Sequence, residues 1–269
     1  MSKEKLIELI MGYFDTFNRA LGRVINLLVE DPNTAYPTVM QVVNDIFNVL
    51  LATSYVLIVM FFFIDLSNKT FFLEIRNYEI TAKLLFRFLL AKIIVENCRG
   101  LMMMFFTAFQ DIISSVAMQG GSPLGQAAQD AILAEVYAMD GGLFGFNYIM
   151  YYISLLPSLL IVWGASIFAS VIVIARFFEI MIYSAIAPLP LSALAGETTA
   201  GSARSFIQSY VSVCLQGVII VIAFRIFGGI VGDAYSGHSD IFTFIVLSVV
   251  FVLTLVKSGT WARQIVGNL

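Results

Sequence analysis

Eight polar side chains interrupt otherwise apolar stretches of this 269-residue chain, and they are its candidates for chemistry. Lys92 and Glu96 are four apart and Glu96 and Arg99 three apart, so on a helix their heads share one face. At a bilayer centre each charge would cost about 2.5–3.5 kcal/mol on insertion scales, so that face must look at protein or water. Arg176 and Glu179 stand three apart in the most apolar part of the chain. They read as part of an aqueous path, as an inter-subunit salt bridge, or as a local pair that satisfies itself near the cytoplasmic half of a span. Gln208, Gln216 and Arg225 can hydrogen-bond between helices or between subunits. Pro188 and Pro190 lack amide donors and restrict the residues before them, so they break a helix. The resulting corner, followed by a small-residue linker over 195–203, suits a hinge or docking surface as well as a plain helix end.

None of these residues forms a catalytic set. There is no P-loop, H-E-x-x-H, G-x-S-x-G or paired-aspartate motif, so no enzymatic activity and no cofactor are expected. Cys98 and Cys214 lie in apolar segments with His238 as the single histidine, which argues against a disulfide framework or a metal site. The net charge of −3 and scattered Lys and Arg argue against strong, direct DNA binding.

The elements that must carry these residues are membrane helices. The chain is 59% hydrophobic and 12% charged, with mean hydropathy +0.91, against about 25% charged for an ordinary soluble domain. Residues 146–194 hold two charges in forty-nine positions, and about 20 apolar residues suffice to cross a bilayer. A single helix over 148–187 would be about 60 Å long, twice the hydrocarbon core. Pro157 offers a starting point for the crossing, leaving Tyr148, Tyr151 and Tyr152 as an interfacial aromatic belt. Residues 46–64 form a charge-free first span between Asp45 and Asp65. For the second, either the crossing starts at about Phe88 with an internal ionic cluster, or 83–99 is an interfacial helix and the crossing starts at Gly100; the second fits slightly better. Further spans are read over 205–232 and 241–256. Gly228, Gly229 and Gly232 would admit another backbone at close range.

The fold class is therefore all-α: a polytopic membrane protein of about five transmembrane helices with an amphipathic N-terminal helix. Residues 1–36 form the amphipathic segment and 37–269 the transmembrane domain, with an extracytoplasmic loop at 119–147. Ile7, Ile10, Phe14, Leu21, Val24 and Leu28 draw an apolar stripe on the first helix, which lies in the interface, docks on a partner or packs on its own domain. No removable signal peptide is read at the start. With five spans, seven Lys or Arg fall on one side, from Lys69, Arg76, Lys83, Arg87, Arg204, Lys257 and Arg263, and none on the opposite loops. Positive residues favour the cytoplasm, which predicts N-out and C-in. Lys3, Lys5, Arg19 and Arg23 run against that rule.

One stretch resembles a known family. Ala175-Arg176-Phe177-Phe178-Glu179, Ile186-Ala187-Pro188-Leu189-Pro190, a Gly/Thr/Ser linker, Arg204-Ser205-Phe206-Ile207-Gln208, Val213 and Gln216-Gly217-Val218-Ile219 are similar to the polytopic, TrbL-like channel subunit of conjugative type IV secretion systems. The likeness covers 166–227, about a quarter of the chain. It implies a bacterial cytoplasmic-membrane protein that helps carry DNA or protein across the bilayer. It further implies a homo-oligomer working beside other secretion-system membrane subunits and ATPases, with transient contact to single-stranded DNA and its relaxase. A secondary transporter or ion-path subunit, and a protein-export gate component, are the alternatives. Transporters usually carry internal repeats with paired broken helices, and no repeat is found here.

Overall fold

The computed structural model describes residues 2–71, 78–118, 126–138, 145–236 and 241–267. Nearly all of these are helical and none is in a strand. In order they form α1 (Lys3–Val29), α2 (Pro32–Ala35), α3 (Pro37–Phe71), α4 (Tyr78–Met118), α5 (Gln126–Ala138), α6 (Phe146–Ile186), α7 (Pro188–Ser192), a 3-10 turn (Ala193–Ala195), α8 (Ala200–Ser236) and α9 (Ile241–Gly267). α3, α4, α6, α8 and α9 are long and apolar enough to cross a membrane. The protein is an all-α polytopic membrane protein with five candidate spans, as its composition predicts.

The chain packs as two compact units, one of Met1–Val29, Gln110–Ala175 and Gln216–Trp261, the other of Glu30–Phe109, Arg176–Leu215 and Ala262–Leu269. In the first unit α1 buries its stripe through Leu6, Ile10, Phe14, Leu21, Val24 and Leu28. Lys3 Nζ donates to the Tyr137 carbonyl of α5 at 2.7 Å and lies over the Tyr137 ring. The Gln110 amide donates to the Val29 carbonyl at 3.0 Å, satisfying one of the acceptors a helix end leaves open. Of the three placements its sequence allows, α1 takes the one packed on its own chain.

α6 does not begin at Pro157. It runs from Phe146 with Pro157 inside it, because a helix among apolar neighbours keeps its remaining backbone bonds rather than exposing them to lipid. Tyr148 and Tyr151 are buried, and the Tyr151 hydroxyl donates to Glu135 of α5 at 2.8 Å, so these two rings are packing groups instead of an aromatic belt. α8 and α9 join through Phe224, Phe227 and Phe251, with the last two rings stacked at 4.4 Å. At Gly229 nothing stands within 4 Å of where a Cβ would be, so among the described residues no backbone uses that opening.

In the second unit α3 and α4 pair antiparallel. Phe62 meets Phe88 at 5.0 Å, and the Tyr55 hydroxyl reaches Glu96 at 3.5 Å. Their register therefore places Glu96 beside the middle of the charge-free run 46–64. α4 is one uninterrupted helix from Tyr78. Residues 83–99 are therefore not a separate interfacial helix: the ionic cluster rides on the same helix as the apolar run that follows it.

α6 ends at Ile186, level with the first half of α3, since Tyr36 packs on Phe177 at 5.1 Å and Ser184 shares a cavity with Asn44 and Phe47. The chain then descends along α3 through α7 and the 3-10 turn until Gly196 lies against Phe61. Ala187, Leu191, Ser192, Ala193 and Ala195 are buried there. The Ser192 hydroxyl donates to the Leu189 carbonyl at 2.6 Å and Thr199 Oγ1 to the Ala193 carbonyl at 2.8 Å. Non-helical backbone is tolerated at membrane depth only when covered in this way. A Cβ at Gly196 would lie 2.6 Å from Thr199 Oγ1, so a larger residue there would displace that hydroxyl from its bond to the Ala193 carbonyl.

Candidate functional site

The part of the family-like stretch from Arg176 to Val213 lies in the second unit, and Arg176 is its most buried charge. Its side chain is 4% exposed. Nε donates to the Val213 carbonyl, and Nη2 donates to the Cys214 carbonyl at 2.7 Å. A carbonyl has two lone pairs, so each can serve the α8 ladder and the guanidinium together. Glu179 is exposed and forms no ion pair with Arg176 among the described residues. The local pair suggested by their spacing is replaced by a bridge from α6 to α8. The same α6–α8 contact carries a ring cluster, with Tyr183 5.5 Å from Phe206 and 6.2 Å from Tyr210, and Tyr210 donates to the Met102 carbonyl of α4 at 2.8 Å. Arg176 stands beside the level of Tyr36, at the start of α3, because its neighbour Phe177 packs there. That is the end of this unit away from Asp65, whereas the sequence reading put the pair in the half nearer the 66–87 connection.

Pro188 and Pro190 are part of the packed corner rather than a free joint: Pro188 is buried and Pro190 half-buried. Below them lies a polar cap. The buried Asp65 carboxylate accepts the backbone N–H of Glu197, and the Glu197 carboxylate meets Lys69 Nζ at 2.7 Å and Arg87 Nη1 at 3.6 Å. The hydrogen bond and charge of Lys69 hold the Glu197 carboxyl below its ordinary range. This contact brings the 195–203 linker to the end of α3 that starts the 66–87 connection, so both lie at one end of the unit. A recess of about 670 Å³ opens here, lined by Lys69, Glu79, Lys83, Arg87 and Glu197 with Leu84, Phe86 and Leu90. Glu79 and Lys83 pair at 2.7 Å within α4.

The charges of α4 are treated differently. Lys92 Nζ lies 3.7 Å from Glu96, with side chains 52% and 41% exposed. Arg99 is also exposed, pairs with no carboxylate among the described residues, and borders a cavity of about 250 Å³ with Asn33, Asn44, Phe47 and Ser184. Asn44 Oδ1 is buried with no hydrogen-bond partner among the described residues.

Of the remaining candidates, Gln216 Nε2 donates to Ser258 Oγ at 3.2 Å, tying α8 to α9 within the first unit. Gly259 makes room for it, since a Cβ there would stand 3.2 Å from that nitrogen. Gln208 and Arg225 are half-buried on α8. Asp65, Glu197, Asn44 and Ser184 were not singled out in the sequence. Asp65 had a visible signal, an acid closing a nineteen-residue charge-free run, but its partner is a backbone amide, which has no signature.

Among the described residues no three His, Cys, Asp or Glu side chains stand where they could hold a metal ion. The geometry offers a buried cation clamped on backbone, a broken membrane helix and an ionic seam, which are means of holding helices together and of lining a polar surface. No family model matches the chain, and no curated protein or solved structure matches it either.

Proposed function

We propose that this protein is a channel or scaffold subunit of a conjugative type IV secretion apparatus in the bacterial cytoplasmic membrane, helping DNA or protein across the bilayer. The observation that carries this reading is the broken helix of the second unit: Arg176, the Pro188–Pro190 corner and the first half of α8 form one packed body. Those are the residues that resemble the TrbL-like family. The chain carries no energy-converting motif, so the driving force comes from partner ATPases. It works as a homo-oligomer beside other membrane subunits, with its N-terminus outside and its C-terminus in the cytoplasm, and touches single-stranded DNA and relaxase only in passing. A charge of −3 suits a conduit that does not retain a polyanion. An ion-path or transporter subunit is the second reading, favoured by the Arg99 cavity with its unpaired Asn44 oxygen.

The test is crosslinking in transferring cells. Single cysteines are placed along residues 166–227 in a chain whose Cys98 and Cys214 are replaced by Ala. Crosslinks to transferring DNA or relaxase at a subset of positions are expected. Full transfer with none at any position overturns the conduit role. In the same assay Arg176→Ala lowers transfer frequency more than Arg263→Ala, and equal tolerance of both removes Arg176 from the working parts.

A further inference from the structure

Tyr55, 36% exposed, is the central residue of the charge-free run 46–64, and its hydroxyl reaches Glu96 at 3.5 Å. Lys92 stands 3.7 Å from the same carboxylate, and both charged side chains face outward from the chain. From the middle of a ~30 Å core the nearest headgroups are about 15 Å away, out of reach of Glu96, and Lys92, about 6 Å nearer one surface, would have to leave Glu96 unpaired to snorkel toward it. Val59, Leu89 and Ile93 around this seam are exposed and apolar, which suits lipid and protein equally, so the ion pair is what calls for protein. A half-covered ion pair in hydrocarbon is costly for both members.

We propose that this seam is the contact between two copies of the chain, with Lys92 of each copy bonding Glu96 of the other. Each copy offers one cation and one anion, so a two-fold axis along the membrane normal creates two reciprocal bonds from a single patch. The membrane holds two copies inserted the same way at the same depth. Residues four apart on parallel helices are then offset by about 6 Å of rise, which the two long side chains bridge. A lipid carries its charge only at the surface and cannot serve at this level. The Tyr55 hydroxyl remains with Glu96 and orients it. The proposal deepens the homo-oligomeric part of the function above and needs nothing from its cargo.

The test exchanges charges between copies. The wild-type protein in mild detergent is expected to give an oligomer by light scattering. K92E puts two acids on the seam and E96K two bases, so each alone is expected to weaken self-association at least tenfold. Differently tagged K92E and E96K copies, expressed together, are expected to co-purify, and the doubly exchanged K92E/E96K chain to assemble as wild type. Failure of the two helical, folded single variants to co-purify overturns the proposal, because the pair is then satisfied within its own helix. Single variants that assemble like wild type overturn it too while leaving the oligomer standing on another surface; a monomeric wild-type protein removes both. Should the single variants not fold, Leu89→Cys in the chain free of Cys98 and Cys214 reads the same seam. A disulfide-linked dimer in membranes supports the contact, and its absence from an oligomeric protein overturns it.

Discussion

Arg176 on α6 and Lys92 on α4 begin as the same problem, a cation on a helix apolar enough to cross a membrane. α6 brings Arg176 against α8, where two carbonyls take its N–H groups and cover it almost completely. α4 presents Lys92 outward, with Glu96 one turn away and about half of each side chain uncovered. The buried case needs no carboxylate, because backbone acceptors already fixed by a helix cost nothing further to order. The exposed case has its counter-charge and lacks only exclusion from lipid. Nearness of an opposite charge is therefore a poor guide to whether an embedded charge is settled; cover and pre-ordered acceptors decide it.

The largest expected effect breaks the buried side of this contrast. Arg176→Glu sets an anion against two carbonyls and is expected to cost about 3–5 kcal/mol, seen as a steep loss of thermal stability in detergent or of accumulation in the membrane. Arg176→Met removes the charge but keeps much of the volume and is expected to cost under about 1.5 kcal/mol. If the Met variant is as unstable as the Glu variant, the carbonyl bonds matter more than the cost of burying a charge.

Asp65→Ala tests whether a buried acid holding a backbone amide follows the same logic with the signs reversed. It leaves the Glu197 N–H without its acceptor, for an expected loss of about 1–3 kcal/mol in thermal melts. Asp65→Asn, which retains an oxygen acceptor, is expected to recover much of it.

The smallest effect is on the solvent side. Lys69 holds the Glu197 carboxyl below its ordinary range, so the folded protein takes up this proton less readily than the unfolded chain. The pair's contribution is complete above the ordinary carboxylate range and is lost as the pH falls through it to the lowered folded value. Glu197 is 57% exposed, so the contribution is under about 1 kcal/mol. It is read as the difference in melting temperature between neutral and acid pH that Glu197→Gln abolishes.

Particular residues show how far the chain's own pattern reaches. The stripe from Ile10 to Leu28 marks the buried face of α1, where Leu6 rather than Ile7 is the first buried residue, and the run between Asp45 and Asp65 marks the apolar body of α3, because both are patterns of neighbouring residues. Pro188 and Pro190 were visible as a helix break, but not as a stretch that continues down α3, since that depends on a groove built by distant residues. Pro157 misled for a related reason: its local cost is real, and the rest of the α6 hydrogen-bond ladder carries the helix through it. The slight preference for an interfacial 83–99 weighed solvation cost for one helix alone, whereas Phe62 on Phe88 and Tyr55 on Glu96 set the cluster's level against α3.

What the sequence alone determined is the solvent and the material: an apolar, sparsely charged chain must be helical in a membrane, and hydropathy counts its five candidate crossings. Only the tertiary structure decided which charges are hidden and which are offered outward. Hydropathy and spacing are properties of neighbours along the chain, but Arg176 is settled by carbonyls of residues 213 and 214, and a carbonyl is carried by every residue alike. An acceptor with no side-chain identity leaves no mark in a sequence until the fold brings it to its donor.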